Sequence, residues 1–377
     1  MKSGIYIHIP FCKSRCIYCG FYSTTKTELQ RKYIKALQNE IALRGETLRN
    51  KIDGVSQVIE TIYIGGGTPS ILSQEDINDI LTSIRKAFIC DTHEVTIEMN
   101  PDDITKEKVI ALRTLGINRI SIGIQTFNEN RLRFIHRRHT ASQALKAVET
   151  IREAGIENVN IDLMFGFPDE TITEWENDLR TAIEIAPSHI SAYSLTYEEN
   201  TPLYNMLHSG RIKQIDEEVS RAMYNMLIDK LTANGYEHYE ISNFSKPGYR
   251  SIHNSSYWQD KPYFGFGAAA HSYDLATRSW NVSDITTYIN KLENNTLPSE
   301  AEIIDEATHY NDLITTTLRT SEGLQLNILK PQYKDFLLQC AQNDISRGLL
   351  EITNNHLRIT RKGLFVSDCV MSDLIYV

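Results

Sequence analysis

Six short apolar runs, separated by helix-length amphipathic segments, restrict this chain more than any other feature of its sequence. The runs are "GIYIHI" (4–9), "VIETIYIG" (58–65), "HEVTIEM" (93–99), "NRISIGI" (118–124), "VNIDLMFG" (159–166) and "HISAYSL" (189–195). Between them lie "TELQRKYIKALQNEIALRGETL", "SQEDINDILTSIRKAF", "TKEKVIALRTLG", "TASQALKAVETIREAG" and "TITEWENDLRTAIEI". Each has apolar residues at helical spacing, and several open on Ser or Thr and end near Gly. Such alternation predicts βαβ units and a parallel sheet, an α/β fold. Periodicity leaves two architectures open, an incomplete barrel or an open doubly wound sheet. Polar or glycine-rich sequences follow the strands: "GGGTPS" after the second, "NPDD" the third, "QTF" the fourth and "GFP" the fifth. In parallel α/β sheets that C-terminal edge is where ligands bind.

The pattern changes downstream. A long helix, "DEEVSRAMYNMLIDKLTANG", precedes a stretch dense in Tyr, Trp, Phe, His and Gly, "YEHYEISNFSKPGYRSIHNSSYWQDKPYFGFGAAAHSY". Beyond about residue 300 come helices, then "GLLEITNNHLRIT", two alternating runs joined at Asn354 and Asn355, then a last helix. Helices followed by a hairpin predict a small winged-helix-like α+β tail. The expected division is a barrel over 1–240, an aromatic and His-rich connecting segment over 241–300, and the tail over 301–377.

Charge narrows the partners. A formal charge of -9 over 377 residues gives no general attraction to phosphate backbones, no basic patch stands out, and Lys and Arg in the tail are balanced by Asp and Glu. Nucleic acid is therefore not an expected partner. The first residues hold no apolar run of signal-peptide length, and no segment approaches the roughly 18 uninterrupted apolar residues of a membrane span. The expectation is a cytoplasmic protein without an integral membrane segment; peripheral membrane contact and oligomeric state stay open. Of 6 cysteines, Cys90, Cys340 and Cys369 stand singly among apolar neighbours and read as small buried hydrophobes.

The other three, Cys12, Cys16 and Cys19, crowd the loop after the first strand in "FCKSRCIYCGFYS". A structural zinc site uses four ligands, commonly as two pairs, and no second Cys pair exists here. A four-iron cluster, by contrast, can be held by three cysteines on three irons, leaving the fourth iron open to an outside ligand. Cys-x3-Cys-x2-Cys after the first barrel strand resembles the hallmark of radical S-adenosylmethionine (SAM) proteins. The resemblance implies a partial (β/α)6 TIM-like barrel, a [4Fe-4S] cluster on Cys12, Cys16 and Cys19, and SAM chelating the open iron. One-electron cleavage of SAM then yields a deoxyadenosyl radical, with the chemistry carried by the cofactor and its placement by the protein.

Further motifs are similar to those of the oxygen-independent coproporphyrinogen III oxidase family across nearly the whole length: "YIHIPFC", "GGGTPS", "EMNP", "GIQTF" and "IDLMFGFP". Taken alone, "GGGTPS" reads as a tight turn, and the charged residues as solvated or buried hydrogen-bonding groups. The resemblance instead implicates Gly66, Gly67 and Thr68 at the SAM amino group, and Glu98, Gln125, Arg137 and Asp162 at SAM-binding positions. A guanidinium suits the carboxylate of SAM; carboxylates and an amide suit ribose hydroxyls or the amino group. Tyr6 and Tyr18 match positions that touch SAM, although aromatic packing around the cluster would also account for them.

That family has two branches. One oxidatively decarboxylates porphyrinogen propionates; the other, the HemW type, is a haem-binding chaperone thought to deliver haem to an acceptor protein. The oxidase motif carries a fourth cysteine two residues after the third, where this chain has Phe21. "HNSSYW" at 253–258 resembles the His-Asn-x-x-Tyr-Trp signature of the chaperone branch. Imidazole is a natural axial ligand of haem iron and aromatics pack on its macrocycle. His253, with Asn254, Tyr257 and Trp258, is therefore the expected haem site, and His271 in "AAAHSY" a second candidate ligand. A lone buried His beside Tyr and Trp is more often a packed, hydrogen-bonded residue. The leading expectation is a haem chaperone; the alternative is the porphyrinogen oxidase. A radical SAM methyltransferase is a third class, which no sequence feature favours.

Overall fold

The computed structural model describes residues 2–50 and 57–377. Six parallel strands follow the expected runs closely: β1 (Lys2–Ile9), β2 (Val58–Gly66), β3 (Ile89–Met99), β4 (Arg119–Gln125), β5 (Asn158–Phe165) and β6 (His189–Ser194). They pair in chain order, each with its successor. Side chains alternate across a strand. One set, including Ile5, Ile7, Ile62, Ile64, Ile97, Ile120, Ile122, Ile161 and Ile190, is buried in the main core. The other set is polar or small: Gly4, Tyr6 and His8 on β1, Thr61 and Tyr63 on β2, Glu94, Thr96 and Glu98 on β3. Tyr63, Glu98, Gly123, Asp162 and Tyr193, from five successive strands, line a single cavity, so the sheet curls around that polar face. This settles the architecture as a partial barrel.

The sheet does not close. β6 continues antiparallel into β8 (Asn243–Ser245) and β7 (Glu237–Glu240); on the other side β1 pairs in parallel with β9 (Tyr263–Phe266), followed by β10 (His271–Tyr273), β11 (Thr277–Asn281) and β12 (Ser299–Ile303). The aromatic-rich stretch 241–300 thus contributes strands to both flanks of the same sheet. Helix starts follow the sequence signals: Ser73 with Asp76, Thr140 with Gln143 and Thr171 with Glu174 each form a reciprocal capping box.

Glu40, on the helix Gln30–Asn50, ties the added strands down. Its fully buried carboxylate accepts from Gly267 N (2.9 Å), Asn281 Nδ2 (2.7 Å) and Tyr288 OH (2.6 Å), with Arg44 at 3.2 Å. A second hydrophobic cluster, including Tyr310, Ile314, Leu337, Leu357 and Leu374, organises the C-terminal helices around β13 (Leu324–Gln325), β14 (Leu350–Thr353) and β15 (His356–Ile359). Asn354 and Asn355 both take positive φ, 50° and 61°, as a two-residue hairpin turn requires. Among the described residues, no helix is long and apolar enough to cross a membrane.

Candidate cluster and cofactor site

The cysteine loop is pinned at its base by two backbone hydrogen bonds, Cys12 N to Thr24 O (2.9 Å) and Thr24 N to Pro10 O (2.7 Å). From there Cys12, Cys16 and Cys19 all face a cavity of about 670 Å3 at the C-terminal edge of the strands. The "GGG" run meets the loop directly. Gly67 N donates to Ile9 O (2.8 Å), and a Cβ on Gly67 would stand 2.9 Å from both Cys12 Sγ and Phe11 O. That glycine is required for close approach. Thr68 Oγ1 donates to Cys12 Sγ (3.4 Å), and Arg137 Nη1 to Cys16 Sγ (3.6 Å).

Among the described residues, no group of three or more His, Cys, Asp or Glu converges on a single metal ion. The three thiols share the cavity lining, and three cysteines on three irons can hold a polynuclear cluster. Burial pushes the Cys12 and Cys19 thiols up, so their thiolates need a nearby positive charge such as iron supplies. The donor set fits the cluster.

Opposite the thiols the wall is polar. Glu98 accepts from Tyr63 OH (2.8 Å) and Gly66 N (3.0 Å), yet burial, reinforced by the charge of Asp162, pushes its carboxyl up to about 7. Asp162, held by Asn160 Nδ2 (2.8 Å), is also raised, by burial. Arg137 donates to Asn100 Oδ1 (2.8 Å) and to Gly123 O, while its Nε–H is buried without a partner. Two non-glycine residues of this rim hold left-handed backbone, Gln125 (φ 72°) and His136 (φ 60°), a strain that persists only where the surroundings enforce it. A guanidinium with a free donor that shares a cavity with two buried carboxyls can bind a zwitterion carrying hydroxyl groups, and SAM is one.

A scan against protein-family models matches residues 6–182 to the radical SAM superfamily. The curated protein "Heme chaperone HemW" of Bacillus subtilis is 34% identical over 372 residues, 96% of this chain and 96% of that one. The protein of the same description from Mycobacterium tuberculosis (strain H37Rv) is 31% identical over 379 residues, 99% and 94% of the two chains. This chain belongs to the radical SAM superfamily, in its HemW branch. Among solved structures, coproporphyrinogen III oxidase (HemN) of Escherichia coli superposes with a TM-score of 0.83 at 21% identity, covering 99% of this chain and 90% of that one. That likeness establishes the shared fold. Superfamily membership brings a [4Fe-4S] cluster and SAM as cofactors.

Most of the residues expected to hold the cluster and SAM share the cavity: Cys12, Cys16, Cys19, Tyr18, Gly66, Gly67, Thr68, Glu98, Gln125, Arg137 and Asp162. Tyr6 does not line it. It sits deeper on β1, with its ring 6.1 Å from that of Tyr63 and its OH 3.0 Å from His8 Nδ1. Phe21 stands at the lip with 73% of its surface exposed. Tyr63, Asn100 and Tyr193, not among the expected site residues, also line the cavity. Tyr63 was recoverable: it precedes Gly65 by two and so shares its face.

The HemW-branch signature lies elsewhere. "HNSSYW" falls on the helix Ile252–Trp258, capped by Ser251 and packed beneath β1 to β3, and none of its residues lines the cavity. His253 is 1% exposed; its Nδ1 lies 2.8 Å from Thr61 Oγ1 and its Nε2 2.8 Å from Tyr257 OH. Burial holds its imidazole down to about 3, in the neutral form. Both ring nitrogens of His253 are thus hydrogen-bonded within the fold. Tyr257 packs edge-on against Tyr263 (4.6 Å), and Trp258 lies under the Arg319 guanidinium (4.8 Å). Asn254 is half-buried and its backbone N–H donates to Ser251 Oγ (3.2 Å). His271 is exposed, 6.2 Å from Trp280, in a separate hollow with Asp284 and Glu300.

Proposed function

We propose that the protein is a haem chaperone: a cytoplasmic protein that carries a [4Fe-4S] cluster and SAM, binds haem, and passes it to an acceptor protein. One observation carries the reading, the 34% identity to a curated heme chaperone HemW across 96% of both chains. Phe21 in place of the oxidases' further cysteine supports it.

In this reading Cys12, Cys16 and Cys19 hold the cluster, and Gly66, Gly67 and Thr68 shape the approach to its open iron. Arg137, whose Nε has no protein partner, pairs with the SAM carboxylate; Glu98, Gln125 and Asp162 take its amino and ribose groups, with Tyr18 closing over them. SAM bound at an open iron supplies radical chemistry on one-electron reduction. The protein's own contribution is to orient the cofactor and exclude water. The candidate haem site in this reading is the "HNSSYW" segment, His253 with Asn254, Tyr257 and Trp258.

The alternative, porphyrinogen decarboxylation, draws on the fold shared with the oxidase. One sample decides between them. After anaerobic cluster reconstitution, haem binding is followed by absorbance and conversion of coproporphyrinogen III by product analysis. The chaperone reading expects a haem complex without turnover; decarboxylation at catalytic turnover would overturn it.

A further inference from the structure

We infer that His253 is a positioning residue for the SAM pocket, acting from beneath it through Tyr63 on Glu98. The inference rests on the SAM reading given above.

The path is short and made of direct contacts. The His253 ring stacks on the Tyr63 ring, centroids 5.1 Å apart and planes 25° from parallel. Tyr63 OH donates to Glu98 Oε1 at 2.8 Å, and the other carboxylate oxygen takes Gly66 N at 3.0 Å. Tyr63 thus has one side on the floor and its hydroxyl at the cofactor wall. Its opposite neighbour is Tyr6, at 6.1 Å. Gly65, two residues further on and on the same face, leaves the Tyr63 ring its place: a Cβ there would stand 2.8 Å from Tyr63 Cε1 and 2.9 Å from Glu98 Oε1.

His253 is itself held unusually firmly. Glu94 accepts from Ser251 Oγ (3.1 Å), Ile252 N (2.8 Å) and His253 N (3.1 Å), fixing the first turn of the helix to β3. Thr61 and Tyr257 then fix the plane of the imidazole. An aromatic ring anchored by two side chains and its own backbone is built to hold orientation. A signature more than 230 residues from the cysteine loop in sequence thereby bears on the same pocket.

The test uses full-length, cluster-reconstituted protein under anaerobic conditions, with SAM affinity from equilibrium dialysis and cluster integrity from absorbance. An aromatic stacking contact of this kind corresponds to about a three- to ten-fold change in affinity. His253→Ala is expected to keep the chromophore and bind SAM weaker by about that factor. His253→Phe keeps a ring against Tyr63 and is expected to restore most of the affinity. The double variant Tyr63→Phe/His253→Ala is expected to lose little beyond Tyr63→Phe alone, since both act through one hydroxyl. Where His253→Ala costs the chromophore, Thr61→Val replaces it, removing only the Nδ1 partner, with about a two-fold weakening expected. Wild-type SAM affinity in His253→Ala or in Thr61→Val, or equal losses in the Ala and Phe variants, overturns the inference and leaves the SAM reading standing. Failure of the wild type to bind SAM overturns both.

Discussion

Glu98→Gln should make folding stability less sensitive to pH, and the structure gives both sign and size. The folded carboxyl is raised from 4.5 to about 7, so between those values the unfolded chain gives up its proton first. The unfolded state then binds fewer protons than the folded one, and stability from this site falls as pH rises. It is fully present below pH 4.5 and gone above about 7. At about 1.36 kcal/mol per pH unit, the whole interval would be worth at most about 3 kcal/mol. The carboxyl faces a cavity that water enters, so about 1–2 kcal/mol is the expected size. Gln keeps an acceptor for Gly66 N and Tyr63 OH but does not titrate. Urea unfolding of wild type and variant, run in parallel at pH 5 and pH 8 without SAM, measures it. The stability difference, wild type minus variant, should drop by about 1–2 kcal/mol between the two pH values. A difference that is flat, or that rises with pH, would refute the assignment of Glu98 as a buried carboxyl near neutral pKa.

Other outcomes follow from the same geometry. Cys16→Ala should abolish the brown iron-sulfur chromophore while circular dichroism stays native; a retained chromophore would contradict the ligand set. Gly67→Ala should lose cluster content, since its Cβ would meet backbone and the Cys12 sulfur at 2.9 Å, and iron analysis of the folded protein checks this. Glu40→Ala should destabilise by about 3–5 kcal/mol in urea unfolding, because it strands the buried donors of Gly267 and Tyr288 and removes the charge partner of Arg44. Phe21→Ala, at a side chain 73% exposed, should move stability by less than about 0.5 kcal/mol.

The parallel strands were legible as short apolar runs in which core residues, mostly isoleucines, alternate with polar or small ones. "VIETIYIG" announces β2 almost to the residue. Cluster and pocket were legible for a different reason: their motifs resemble those of a known family, whereas taken alone "GGGTPS" reads as a tight turn. What escaped was non-local. β9, four residues long, joins β1 across some 260 residues of sequence, and nothing in "YFGF" names its partner. Likewise "HNSSYW" advertises an imidazole, but only the fold reveals that Thr61 and Tyr257 occupy both of its nitrogens. Tyr63 was hidden inside a strand read for its isoleucines.

The pairing of β1 with β9 also sets an order of events during synthesis. Gly4 meets Tyr263, and Tyr6 meets Gly265, so the strand that carries the cysteine loop has one side bare until the last third of the chain has emerged. Closing so long a loop delays native contacts and leaves a pairing-competent edge exposed meanwhile. The residues that line the cavity around the thiols, the last of them Glu198, are all made before that edge is covered.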